Sequence, residues 1–204
     1  VATEALDRLH TTAASHHRIM CLEVMGRYTG WIALEAGLAG GADVILIPEI
    51  PFDINKVAGK IKERRRAGKD FSIVVVAEGA KSITGEMVVK NVVKDSPDPI
   101  RLGGIAEQVS NQLEELVGLE SRATILGHLQ RGGSPTAYDR NISTRYGKAA
   151  VDLVMEGKFG RMVTLKGQTI SSALLEDVIG KLKKGDPEGE IVQTAKSIGI
   201  SFGD

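Results

Sequence analysis

The run FSIVVVAEG, residues 71–79, narrows the possible folds more than any other stretch of the chain. A strand wet on one face alternates apolar and polar residues, whereas Ile73, Val74, Val75 and Val76 are apolar without a break. Such a strand is buried on both faces, as in a parallel sheet covered by helices. Parallel neighbours need a crossover connection, usually a helix, so helix-length stretches must lie between the strands. The rest of the sequence supplies both. Strand-like runs recur at IMCLEVM (19–25), DVILIP (43–48), ATILGH (123–128) and MVTLKG (162–167). Helical stretches are expected at 2–15, 30–40, 54–67, 104–117, 136–156 and 171–184. In GIAEQVSNQLEELV, Ile105, Val109, Leu113 and Leu116 fall on one helical face. The expected fold is α/β, a layered parallel sheet flanked by helices, and residues 1–204 read as a single region. One excursion near 80–100, with GEMVV, NVV and DSPDP, reads as a hairpin or lid-like loop.

Charge excludes several partners. Lysine plus arginine equals aspartate plus glutamate, 26 each, so no global field draws nucleic acid or anionic lipid. The densest basic run, KERRRAGK at 62–69, reads as a solvated helix face. Nothing approaches the roughly 18 apolar residues of a membrane-spanning helix. The single cysteine, Cys21, rules out an internal disulfide framework and fits a reducing, cytoplasmic setting. No GxGxxG joins a strand to a helix, which argues against a nicotinamide-dependent dehydrogenase.

In open α/β sheets, ligands bind beyond the carboxyl ends of the strands. The first expected strand ends in Met25-Gly26-Arg27, the third in Ala77-Glu78-Gly79, and the one at 123–128 in Gly127-His128, with Arg131 close behind. One edge therefore presents two arginines, a histidine, a carboxylate and glycines. Guanidinium groups match phosphate oxygens, and glycines let backbone N–H groups approach an anion. Glu78 would repel a phosphate but accepts hydrogen bonds from hydroxyls, so the set points to a sugar phosphate. Each residue also has a plainer role: Arg27 in a surface ion pair, His128 in a structural hydrogen bond, Glu78 as a helix cap.

The stretches SHHRIMCLEVMGRYTGWIAL, IVVVAEGA and SRATILGHLQRGGSPTAYDR together resemble the carboxyl-terminal half of the 6-phosphofructokinase family. The likeness runs in order from ATEALDRLHTTAASHHR to the closing SIGISFGD. It implies a phosphofructokinase-like, Rossmann-like fold and phosphoryl transfer from ATP or pyrophosphate to the 1-hydroxyl of fructose 6-phosphate, in glycolysis. By position, it implies that Met25, Gly26 and Arg27 lie against the sugar phosphate, Arg27 offsetting transition-state charge. Glu78 would bind sugar hydroxyls, and His128 and Arg131 the 6-phosphate. Arg18 and Arg122 resemble arginines that reach into a neighbouring subunit's site, which implies a homodimer or homotetramer. GRYTGWIALEAGLAGGADVILIPE and SIGISFGD resemble the pyrophosphate or mixed-donor branch more closely.

The family's glycine-rich donor loop and its TIDxD segment, with the catalytic-base aspartate, have no counterpart here. The expectation is a substrate-binding half, inactive alone, with Mg2+ held mainly by the donor and the absent half. A non-catalytic sugar-phosphate sensor is the alternative. Lys69 matches a basic effector-pocket residue of allosteric members, but His10 stands where they carry arginine, so weak nucleotide control is expected.

Overall fold

The computed structural model describes residues 1–85, 87–92 and 99–204. These form two compact units, Val1–Arg131 with Lys184–Asp204, and Gly132–Lys183.

The first unit opens with α1 (Ala2–His16), β1 (Ile19–Val24), α2 (Trp31–Ala39), β2 (Val44–Leu46), α3 (Ile54–Arg66) and β3 (Ser72–Ala77). A hairpin of β4 (Val89–Val92) and β5 (Ile100–Leu102) precedes α4 (Ile105–Val117) and β6 (Ser121–Ile125). The sheet order is β2-β3-β1-β6, and every pairing in it is parallel. This is the α/β fold expected from the sequence.

Strand side chains alternate between two cores. Leu22, Val24, Ile45, Ile73 and Val75 pack with Leu6 of α1 and Ala33 and Leu34 of α2. Cys21, Val44, Leu46, Val74 and Val76 pack with Val57 and Ile61 of α3 and with Val109 and Leu113 of α4. All six residues of β3 are buried, which is why FSIVVVA carries no polar alternation. Each fully buried Val, Leu or Ile side chain contributes about 1.5–3 kcal/mol, so this two-faced core is the main stabilising element.

Several helix ends follow from local sequence. Asp53 caps α3 by accepting from Asn55 N–H at 2.8 Å. Gly118 ends α4 in the left-handed conformation at φ 69°.

The second unit contains α5 (Ala137–Met155), the hairpin β7 (Arg161–Lys166) and β8 (Thr169–Leu174), and one helical turn, α6 (Leu175–Val178). A Thr136–Asp139 capping box opens α5. This unit departs from the sequence reading in three ways. The single region expected over 1–204 divides in two. The run at 162–167 pairs antiparallel with β8 instead of joining the parallel sheet. The helix expected over 171–184 is replaced by β8 and α6. The local cause is the two-residue turn Gly167-Gln168: Gly167 sits at φ 58°, where glycine is favoured, and Lys166 then faces Thr169 across the hairpin.

A last helix, α7 (Glu190–Ser197), returns the chain to the first unit and buries Val192 and Ala195. The sequence reading passed over it. The hairpin expected near 80–100 exists as β4 and β5, while most of DSPDP lies outside the described residues. No helix among the described residues is long and apolar enough to cross a membrane.

Candidate functional site

Because β1, β3 and β6 run parallel, their carboxyl ends share one edge of the sheet. Met25, Gly26 and Arg27 follow β1, Glu78 follows β3, and a short 3-10 turn, Gly127–Arg131, follows β6. Met25, Arg27, Glu78, His128 and Arg131 line one cleft of about 260 Å³, with Ile100 and Leu102 of β5 as an apolar wall. An adjoining cleft of about 220 Å³ is shared by Glu23, Glu78, Lys90, Gly104 and His128.

The Met-Gly-Arg turn is held from its backbone. Glu78 Oε1 accepts N–H groups of Gly26 at 3.2 Å and Arg27 at 2.9 Å. Arg27 adopts φ 49°, an uncommon conformation for a residue with a side chain. Its carbonyl oxygen would stand 1.6 Å from a Cβ at position 79, so only glycine fits there. The strained turn is thereby clamped between a carboxylate and a bare glycine backbone. Gln130 adds a third tie, accepting Met25 N–H at 3.1 Å and donating to Gly127 O at 3.1 Å.

Six of the eight expected residues, Met25, Gly26, Arg27, Glu78, His128 and Arg131, thus sit at one edge. Arg18 and Arg122 do not join them. Arg18 precedes β1 and Arg122 lies near the start of β6, about 20 Å away along the strands. Both face Glu120. Arg18 Nε lies 2.6 Å from Glu120 Oε2, though its N–H is not aimed at that oxygen, and Arg122 pairs with Oε1.

Three further residues escaped the sequence reading. Gln130 lies inside the quoted turn but carries no charge. Glu49 follows β2, and the same strand-end rule finds it; it accepts from Gly30 N–H at 3.0 Å and Gly185 N–H at 2.8 Å. Glu23 lies inside β1 and is 3% exposed. Both its oxygens accept from Gly104 N–H, at 3.1 and 3.0 Å, and Oε2 also accepts from Ala106 N–H at 3.0 Å. Burial pushes the Glu23 carboxyl above its ordinary value, these backbone N–H groups pull it back, and Glu78 and Glu107 raise it further.

Among the described residues, no group of three or more His, Cys, Asp or Glu side chains converges to hold a metal ion. Mg2+ thus finds no such cluster of ligands among the described residues. A wider groove of about 540 Å³ between α1 and α2, lined by residues such as Val1, Trp31 and Ala36, has no arginine or lysine in its walls. It is unlike an anion site. His10, the expected effector-pocket position, packs edge-on against Phe71 and makes a 2.7 Å hydrogen bond with Gly40 O.

Known proteins resemble this chain in sequence and in fold. The chain is 64% identical to "ATP-dependent 6-phosphofructokinase 2" of Clostridium perfringens, covering 100% of this chain and 56% of that protein. It is 49% identical to the pyrophosphate–fructose 6-phosphate 1-phosphotransferase of Streptomyces coelicolor, covering 100% of this chain and 58% of that one. The chain thus spans about half the length of these relatives. The solved phosphofructokinase of Saccharomyces cerevisiae superposes with a TM-score of 0.72 at 34% identity, over 87% of this chain and 22% of that one. The pyrophosphate-dependent phosphofructokinase of Marinobacter aquaeolei gives 0.75 at 25% identity, over 98% and 53%. The family model described as phosphofructokinase matches residues 1–154, and the chain belongs to that family.

Proposed function

We propose that this chain is the acceptor-binding half of a 6-phosphofructokinase and that its 260 Å³ cleft holds fructose 6-phosphate. The observation that carries this reading is the convergence of Arg27, His128 and Arg131 with a single carboxylate, Glu78, on one cleft. The two guanidinium groups and the imidazole suit a phosphate dianion, and the carboxylate suits neutral sugar hydroxyls.

In this reading His128 and Arg131 hold the 6-phosphate. Met25 and Gly26 lie against the sugar, and Glu78 accepts from its hydroxyls. The Glu78 carboxylate holds the turn through Oε1, so in this reading one side chain both fixes the turn and accepts from the sugar. Arg27 offsets the charge that develops as a phosphoryl group passes to the 1-hydroxyl. Such chemistry depends on positioning and charge neutralisation rather than on covalent catalysis by the protein. The fixed Met-Gly-Arg backbone supplies the first, and Arg27 the second. The donor, ATP or pyrophosphate, and the catalytic base would come from outside this chain. Arg18 and Arg122, at the opposite edge of the sheet, serve the site of a neighbouring copy in a homodimer or homotetramer.

The test is calorimetric titration with fructose 6-phosphate at low salt, beside Arg131→Ala and Arg122→Ala. A charge-assisted hydrogen bond contributes about 1.5–3 kcal/mol, so Arg131→Ala should weaken binding by about 10- to 100-fold. Weakening by Arg122→Ala as well would support a site completed by the neighbour. Equal affinity in parent and Arg131→Ala would overturn the clamp.

A further inference from the structure

Glu23 belongs to none of the roles above, yet it is a carboxylate buried in the middle layer of the molecule, immediately behind the site. Carboxylates are seldom taken out of water without several hydrogen bonds to compensate. Here the compensation comes from far along the chain. Gly104 and Ala106, at the start of α4, both donate to Glu23, and α4 has no capping side chain of its own. A 13-residue helix gathers exposed N–H groups and positive potential at that end, which a carboxylate satisfies.

The approach requires two glycines. Gly103 and Gly104 take φ 140° and 91°, backbone shapes that residues with side chains rarely adopt. A Cβ at Gly103 would stand 3.4 Å from Glu23 Oε1. From this joint the hairpin begins: Gly103 N–H donates to Val88 O at 3.3 Å, and Leu102 faces Val89 in the ladder. Leu102 and Ile100 of that hairpin form the apolar wall of the 260 Å³ cleft. On the other side, Glu23 is two residues before Met25 on the strand that carries the Met-Gly-Arg turn.

We infer that Glu23 is a positioning residue, a buried carboxylate joint that sets the hairpin wall of the cleft against the Met-Gly-Arg turn. It touches no ligand in this account; it fixes the spacing of two walls that do. The inference rests on the sugar-phosphate reading of the cleft. The wall it positions is the apolar one, whereas phosphate is assigned to His128 and Arg131 on the turn after β6. Loss of the joint should therefore be felt by the sugar rather than by the phosphate.

The experiment compares the parent chain with Glu23→Gln. Calorimetry follows fructose 6-phosphate and inorganic phosphate separately, and amide hydrogen exchange follows residues 88–92 and 100–106. Glutamine keeps the size and one acceptor oxygen, but its NH2 replaces the second oxygen and sets a donor against a backbone N–H of the joint. The expected result is about tenfold weaker fructose 6-phosphate binding with inorganic phosphate within about twofold, and faster exchange confined to the hairpin and the first turn of α4. Unchanged sugar-phosphate affinity, equal loss of both ligands, or unchanged exchange overturns the inference. If Glu23→Gln does not fold, Gly104→Ala opens the same joint from its other side and is read in the same way. Should the parent itself bind no fructose 6-phosphate, the functional reading fails, and the exchange comparison alone decides whether the joint exists.

Discussion

At the scale of single residues, Cys21 is fully buried, and burial pushes its thiol up to about 12, so hardly any thiolate is present near neutrality. Labelling with a small disulfide reagent at pH 8 should be negligible in the folded chain and complete in denaturant. Rapid labelling without denaturant would contradict the packing of β1. Cys21 was legible in the sequence as core. Arg27, Glu78, His128 and Arg131 stood out because ionised or ionisable side chains after apolar strands are unusual and need a reason. Gln130 and Glu23 did not. A neutral amide inside a charged turn, and a carboxylate inside a strand read as core, show their purpose only when distant backbone N–H groups arrive, such as Gly104, 81 positions later.

At the scale of elements, every strand buried on both faces was legible, because uninterrupted apolar runs leave few alternatives. The hairpin of β7 and β8 was misread, since SSALLEDVIGKLK is compatible with a helix until the turn at Gly167 sets a period of two. The ties between elements were not legible at all. Two of them are carboxylates drawn out of water, buried Glu23 to α4, and partly buried Asp43, which accepts from Ile73 N–H at 2.9 Å and pairs with Arg64 at 2.8 Å. Burial raises both carboxyls above their ordinary values, against the opposing pull of backbone N–H groups and, for Asp43, of Arg64. A carboxyl raised on folding favours the folded state below its unfolded value and loses that contribution as pH climbs through the folded one. For Glu23 the loss begins near 4.5. Denaturant unfolding of the parent and Glu23→Gln between pH 4 and 7 should therefore show the parent's stability falling relative to the variant as pH rises. The opposite slope would mean that the backbone N–H groups, rather than burial, dominate.

At the scale of the whole molecule, the two units were not legible in the sequence, because no composition shift marks Gly132 or Lys183. The division carries an expectation of its own. Arg131 and the exposed run Lys181–Lys184 lie at the two junctions, so brief trypsin treatment should cut there first and leave a fragment ending at Arg131. Fructose 6-phosphate should slow the cut at Arg131, as that guanidinium is the proposed anchor of its phosphate. Even cleavage along the chain would count against two units, and an unprotected Arg131 against the anchor.

Strand β1 has a consequence that reaches beyond binding. Arg18 stands just before its first residue and Arg27 three residues past its last, while its middle is locked in register to β3 on one side and β6 on the other. The strand acts as a ruler of fixed length. A one-residue insertion or deletion within it would shift one end relative to the other and turn every side chain beyond that point toward the wrong core. Changes of length around β1 are therefore better borne by the turns beyond the strand. Of the lengths that could drift over time, this one is pinned from both ends.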